Sequence, residues 1–202
     1  SARLIIAESD VVIDSITSTK IGLFTVDLAG GPSQIRSFDL DGNFLGKLKT
    51  ELLSSVRGLT RMNDYAVLFG SVSYVHEFAY FSYNPRNRGT KVLQPQVTAL
   101  VRKGPVKFDD IEVKREFVTS KDGTKVPVNI LYKKGLKKNS KNPTLLYGYG
   151  GYGISMSPSF STNLRLWLSR GGVYAIANIR GGGEYGEEWH LNGNLTKKQN
   201  VF

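Results

Sequence analysis

The first hundred residues are a nearly unbroken series of short β-branched and aromatic runs separated by turn residues, and that rhythm confines this half of the chain to antiparallel β architecture. Residues 21–28 end at Ala29-Gly30-Gly31-Pro32, a turn signal. Residues 35–40 and 44–48 flank Asp41-Gly42-Asn43, where Asp-Gly readily supplies the positive φ of a hairpin. Further runs lie at 65–72, 77–83 and 97–101, and within 77–83 the residues Phe78, Tyr80 and Ser82 alternate with Ala79, Phe81 and Tyr83. Helical periodicity is almost absent, so the pattern admits a sandwich, a barrel or a propeller. About eight strands would make roughly two four-stranded propeller blades.

The rhythm changes after a charged, Pro-containing link that runs from Arg102-Lys103-Gly104-Pro105 to Asp109-Asp110. Residues 113–118 and 126–132 flank the turn Ser120-Lys121-Asp122-Gly123-Thr124 and read as another hairpin. Pro143-Thr144-Leu145-Leu146-Tyr147 is a compact apolar strand. Ser157-Pro158 then predicts a helix start, with Ser as N-cap and Pro at the first helical position. Phe160, Leu164, Trp167 and Leu168 share one helix face, and Gly171-Gly172 ends the segment. Residues 173–179 are a near-continuous apolar run, as in a strand buried on both faces of a parallel sheet. Strand, helix and strand in this order form a βαβ unit. The expected division is therefore an all-β part over residues 1–106 and an α/β part over residues 107–202.

Composition removes several classes of function. Of the 202 residues, 40% are hydrophobic and 22% charged, which excludes a disordered tail, and no stretch approaches the roughly 18 apolar residues of a spanning helix. With no cysteine there are no disulfides and no thiol chemistry. His76 and His190 are far apart and lack metal-ligand spacing, so a His-rich metal site is not expected. The net charge of +10 arises from 12 basic and 9 acidic groups in residues 1–103 and from 15 and 8 in residues 104–202. Lys133, Lys134, Lys137, Lys138 and Lys141 concentrate the late excess without an interleaved aromatic or Arg, which fits a solvated loop and not a nucleic-acid surface. The N-terminus lacks both an initiator Met and the apolar core of a signal peptide, so the natural start is expected to be missing.

Two glycine motifs follow the two late strands. Gly148, Gly150 and Gly153 satisfy Gly-x-Gly-x-x-Gly, a candidate dinucleotide site, with Arg180 placed to meet the 2′-phosphate of NADP. Against that reading, Ile154 to Pro158 delay the helix by about a turn, and Tyr149 and Tyr152 put large rings where bare backbone should meet pyrophosphate. Gly181-Gly182-Gly183-Glu184-Tyr185-Gly186 has the same spacing, which shows how little the pattern specifies. A tyrosine in a strand-end glycine loop has a second use, as a phenolic donor to an oxyanion.

The ordered set 146–152 (Leu-Tyr-Gly-Tyr-Gly-Gly-Tyr), 177–186 (Ala-Asn-Ile-Arg-Gly-Gly-Gly-Glu-Tyr-Gly), Trp189-His190 and 198–202 (Lys-Gln-Asn-Val-Phe) resembles the prolyl oligopeptidase family. Residues 120–127 resemble the start of that family's hydrolase domain, and residues 1–109 are similar in kind to the last blades of its β-propeller. The resemblance implies a partial β-propeller of about two blades, followed by the first strands and helix of an α/β-hydrolase domain. It implies a cytoplasmic (in some relatives periplasmic) serine peptidase that cuts short peptides on the carboxyl side of proline. Tyr149 would match the tyrosine that helps form the oxyanion hole, and Tyr152 an aromatic, usually Phe, that lines the proline pocket. The expected partners are a proline-containing oligopeptide and the remainder of the same hydrolase domain, with no metal or organic cofactor, no nucleic acid and no membrane.

The nucleophile is missing. A serine hydrolase of this fold needs Gly-x-Ser-x-Gly followed by Asp and His, and no serine here has that setting; Ser155 comes nearest, with Gly153 before it but Ser157 after it. His190 precedes the place of the serine, so it reads as a structural residue beside Trp189. The chain is thus expected to be a middle piece that is inactive alone, with an unpaired apolar sheet edge on the 173–179 side. Two competing readings are an NADP-binding Rossmann module, marked by a helix that starts at Gly153, and a catalytically dead interaction module.

Overall fold

The computed structural model describes residues 3–87, 98–99 and 107–202. β1 (Val12–Thr19), β2 (Gly22–Leu28), β3 (Ser33–Phe38) and β4 (Phe44–Lys47) form an antiparallel meander in chain order. β5 (Ser54–Arg61), β6 (Val67–Ser73), β7 (Ala79–Tyr83) and β8 (Thr98–Ala99) form a second. The two sheets share one core: Phe24, Val26, Ile35 and Leu48 pack with Val56, Val67, Phe69 and Tyr83. Phe24 and Tyr83 meet edge to face across it, with ring centroids 5.9 Å apart. This is the arrangement of two partial-propeller blades.

β1 and β5 carry no sequence signal, and their position explains why. Each is one of the two edge strands of its sheet, β1 faces mostly solvent and β5 is buried only over Ser54, Ser55 and Val56, so neither shows a regular apolar alternation. Of the run expected at 97–101, only Thr98 and Ala99 are described. Val97, Leu100 and Val101 lie outside the described residues, as do Arg102-Lys103-Gly104-Pro105 of the expected link.

The late sheet has the order β11-β12-β10-β9. β9 (Ile111–Thr119) and β10 (Lys125–Lys133) form the expected hairpin. β11 (Thr144–Gly148) pairs in parallel with β12 (Val173–Ala177), and α1 (Thr162–Ser169) connects them as a βαβ unit. The helix lays Leu164, Trp167 and Leu168 onto Leu131 and Ile176. Tyr74, which follows β6, and Phe108 belong to the same cluster, so one apolar seam joins the second blade to the late sheet. No described helix is long and apolar enough to cross a membrane.

Two expectations are corrected. The helix begins at Thr162 and not at Ser157-Pro158: Ser161 is the N-cap, in an extended conformation, and Phe160 precedes the helix. Pro158 is buried and Phe160 packs edge to face on Phe108 at 5.0 Å, so tertiary burial overrides the local start signal. The open sheet edge is also not the 173–179 strand. β12 lies between β11 and β10 and has ladder partners on both sides. β11 forms the edge, all five of its residues are exposed, and Leu146 is 72% exposed. Both strands are apolar, so composition alone does not tell which one the crossover leaves outside.

An apolar strand with unsatisfied backbone donors and acceptors is a template for pairing with another chain. The 202-residue polypeptide should therefore self-associate, and Leu146→Lys should shift it toward monomer in size-exclusion chromatography with light scattering. A wild-type polypeptide that stays monomeric as concentration rises would contradict this.

Candidate active site

Parallel pairing of β11 and β12 runs from Thr144↔Val173 to Gly148↔Ala177, so the loops 148–153 and 178–186 leave the same end of the sheet. In open α/β sheets this carboxyl end is where sites are built. The loops interlock through backbone. The Gly153 amide donates to the Gly181 carbonyl at 3.0 Å, and the Gly181 amide donates to the Trp189 carbonyl at 3.0 Å. Gly150 has φ +59, and a Cβ there would stand 2.7 Å from Ile179 and Val201 side-chain carbons and 2.8 Å from the Arg180 carbonyl oxygen. Gly181 has φ +90, and a Cβ there would stand 2.4 Å from the Gly150 carbonyl oxygen. Backbone of this shape and proximity requires glycine at both places.

Tyr149 and Tyr152 both stand on the 148–153 loop. Tyr149 is 43% exposed, and among the described residues its hydroxyl has no hydrogen-bond partner. Tyr152 is 86% exposed and has φ +56, in the left-handed region that side chains avoid. The Lys198 ammonium donates to the Gly150 carbonyl at 2.5 Å. Lys198 lies on the 3₁₀ segment Leu195–Val201, whose Val201 is buried. His190 lies within 2.8 Å of the Gly181 carbonyl through Nδ1 and within 3.3 Å of the Asn194 amide nitrogen through Nε2. Both ring nitrogens are thereby engaged inside the loop system, with Nδ1 donating and Nε2 accepting.

The features that a nucleotide site needs are not met. Eight residues separate Gly153 from the start of α1, so no helix N-terminus opens at the third glycine. Arg180 is buried and already committed: it pairs with Asp122 and donates to the Thr124 and Ser120 hydroxyls, at 3.2 and 2.9 Å, in the β9–β10 turn. The Arg180 guanidinium and the Thr124 amide hold the Asp122 carboxyl well below the usual carboxylate range. The NADP reading based on Gly148, Gly150 and Gly153 is corrected accordingly. The same arginine instead ties the strand-end loop to the hairpin turn.

Behind the glycine loops lies a polar cluster that carries no sequence signal of its own. Glu184 is fully buried, and its Oε1 accepts from the Met156 amide at 2.9 Å and from Asn178 Nδ2 at 3.3 Å. Asn178 Nδ2 also donates to the Met156 carbonyl at 2.7 Å, while Asn178 Oδ1 accepts from Asn129 Nδ2 at 2.9 Å. Glu184 Oε2 has no partner among the described residues. Burial pushes the Glu184 carboxyl above its ordinary value, with the Met156 amide and Asn178 opposing part of the rise. The cluster meets the first blade directly: the Gly30 amide donates to the Glu184 carbonyl at 3.1 Å, and Arg115 donates to the carbonyls of Ala29 and Gly30 at 2.9 and 2.8 Å.

Two blades seated against the first strands of a mixed sheet, with glycine loops at its carboxyl end, define part of a propeller-bearing α/β-hydrolase. A sequence profile described as "Prolyl oligopeptidase family" matches residues 158–202. The chain is 39% identical over 172 residues to a prolyl endopeptidase of Elizabethkingia meningoseptica, covering 84% of this chain and 23% of that protein. It is 33% identical over 203 residues to a prolyl endopeptidase of Dictyostelium discoideum, covering 98% and 26%. A solved prolyl endopeptidase structure superposes with a TM-score of 0.79 at 33% identity, over 96% of this chain and 28% of that one. Prolyl oligopeptidase B of Galerina marginata, bound to a 35mer hydrolysis and macrocyclization substrate, superposes at 0.84 and 25% identity, over 98% and 28%. The chain belongs to the prolyl oligopeptidase family, and it spans about a quarter of the length of the relatives it matches.

A carboxyl whose proton is held more tightly in the folded state than in the unfolded state makes stability fall as pH rises through the interval between the two pKa values. That interval opens near 4.5 for Glu184 and extends upward. Denaturant titrations from acidic to neutral pH should show this loss in the wild type. Glu184→Gln, which keeps an acceptor for Met156 and Asn178, should remove it. Identical slopes for the two proteins would show that burial does not perturb Glu184.

Proposed function

We propose that the chain is the portion of a post-proline serine peptidase that supplies an oxyanion donor, Tyr149, and an aromatic wall of the proline pocket, Tyr152. In this proposal residues 1–106 belong to the propeller and residues 107–202 to the hydrolase domain. The serine, aspartate and histidine of the triad come from outside these residues, since the sequence contains no Gly-x-Ser-x-Gly. The substrate is a proline-containing oligopeptide, the immediate partner is the rest of the same hydrolase domain, and the setting is cytoplasmic. The relatives' names support the substrate class: prolyl endopeptidases, and a prolyl oligopeptidase bound to a 35mer hydrolysis and macrocyclization substrate.

The observation that carries the proposal is the unpartnered, part-exposed phenol of Tyr149 at the carboxyl end of a parallel strand. When a nucleophile adds to a peptide carbonyl, the carbonyl oxygen gains a full negative charge. A phenol O–H held in place before that charge develops stabilises it without reorganisation. Tyr152 contributes apolar area and not chemistry, through an aromatic face against the pyrrolidine ring of the substrate.

In the intact enzyme, Tyr149→Phe keeps the ring and deletes only the donor. Loss of a single oxyanion donor typically costs roughly 3–4 kcal/mol, so kcat should fall about 10²- to 10³-fold on a Gly-Pro chromogenic peptide with little change in KM. An unchanged kcat would remove the oxyanion role. The 202-residue polypeptide alone should give no turnover of the same peptide, because nucleophile and base supply most of the rate. Hydrolysis abolished by a serine-directed inhibitor would overturn that assignment.

A further inference from the structure

We infer that Lys198 is a positioning residue for the Tyr149 hydroxyl and acts through the Gly150 carbonyl; the inference rests on the oxyanion role proposed for Tyr149. Gly150 follows Tyr149 directly and has φ +59, a conformation in which glycine retains wide freedom in the absence of outside restraint. A donor on such a hinge would swing, and misplacement by about 1 Å is enough to weaken catalysis strongly. Two restraints close on the hinge. On one side the backbone at Gly181 stands so near that a Cβ there would be 2.4 Å from the Gly150 carbonyl oxygen. On the other side the Lys198 ammonium bonds that same oxygen at 2.5 Å, across 48 residues of sequence.

The grip extends beyond one bond. Val201, three residues after Lys198 on the same 3₁₀ segment, sits against the α-carbon of Gly150, where a Cβ would lie 2.7 Å from its Cγ1. The place of a Cβ on Gly151 is 3.7 Å from Tyr149 Cε1 and 4.0 Å from Lys198 Nζ, so the ring edge and the ammonium flank one glycine. Among the described residues Lys198 makes no ion pair, and its charge is directed at the loop carbonyl. A charge-assisted bond of this kind is stronger than a neutral one and fixes the plane of the peptide group that it meets.

The test is a double-mutant cycle in the intact enzyme, read as kcat and KM on a Gly-Pro chromogenic peptide, with thermal unfolding of every variant. Lys198→Met keeps the aliphatic stem and removes the donor, so kcat should fall about tenfold, the size of one charge-assisted hydrogen bond, with KM nearly unchanged. Lys198→Arg, which retains a cationic donor, should recover most of that loss. In a Tyr149→Phe background Lys198→Met should cost almost nothing further, because no hydroxyl is left to position. An equal loss in both backgrounds, an unchanged kcat, or a loss confined to thermal stability would overturn the role of Lys198 while the oxyanion reading stands. Should Tyr149→Phe itself leave kcat unchanged, the oxyanion reading fails, and the positioning role falls with it.

Discussion

The close passage of two backbones at the carboxyl end of the sheet is the constraint from which the candidate site follows. Parallel pairing of β11 and β12 delivers two loops to the same place, and they fit only because residues 150 and 181 lack a Cβ. The atom that a Cβ at 181 would strike is a backbone carbonyl, so no side-chain rotation relieves the clash. The Gly153–Gly181 hydrogen bond ties the two loops into one body. Arg180 anchors that body to the β9–β10 turn, where its buried guanidinium finds a carboxylate and two hydroxyls. A preorganised donor needs this kind of foundation, since dipoles stabilise a developing charge best when they need not reorient.

The seam between the blades and the hydrolase sheet combines two kinds of contact. Tyr74, Phe108, Ile111 and Leu131 bury apolar surface, which gives adhesion without direction. Beside them lie Glu184, Asn178 and Asn129, with hydrogen bonds that specify one register of the blade turn at Ala29 and Gly30 against Arg115 and the Glu184 carbonyl. Tyr74 Oη, Asn129 Oδ1 and Glu184 Oε2 are buried without partners among the described residues, and burial pushes the Tyr74 phenol upward. Such atoms weaken the seam relative to a purely apolar one. The seam trades strength for a defined seating of the first blade directly behind the glycine loops.

The sequence made the architecture legible where burial imposes a period. β2, β3, β4, β6, β7 and the late strands were recoverable within a few residues, and the helix face of Leu164, Trp167 and Leu168 came from spacing alone. β1 and β5 escaped because the one is mostly exposed and the other buried only at its start, so neither alternates, and the helix start was misplaced because Phe160 packs on Phe108 ahead of the helix. Tyr149 and Tyr152 stood out through their glycine surroundings. Lys198, Asn129 and Glu184 did not, since a lysine bonding a carbonyl 48 residues away and two polar side chains meeting across a sheet leave no local pattern. Strand order was likewise hidden, because β11 and β12 are equally apolar and only the crossover decides which one lies inside.

The Tyr152 backbone adds an argument that burial cannot supply. The Ile154 amide donates to the Gly151 carbonyl at 3.0 Å, closing a turn whose central residues, Tyr152 and Gly153, have φ +56 and +66. Positive φ at both central positions is the mark of a type I′ turn, which favours Asn-Gly and disfavours an aromatic at its first central place. Left-handed backbone at a residue other than glycine costs roughly 1–2 kcal/mol. Packing does not offset that penalty, because the ring is 86% exposed. An aromatic kept in strained backbone and left open to solvent contributes little to the stability of the fold that carries it, which is the circumstance in which strain points to function. The direction of the turn then matters more than its energy, since the positive φ of Gly150, Tyr152 and Gly153 returns the chain to Gly181 and leaves both rings, Tyr149 and Tyr152, open to solvent.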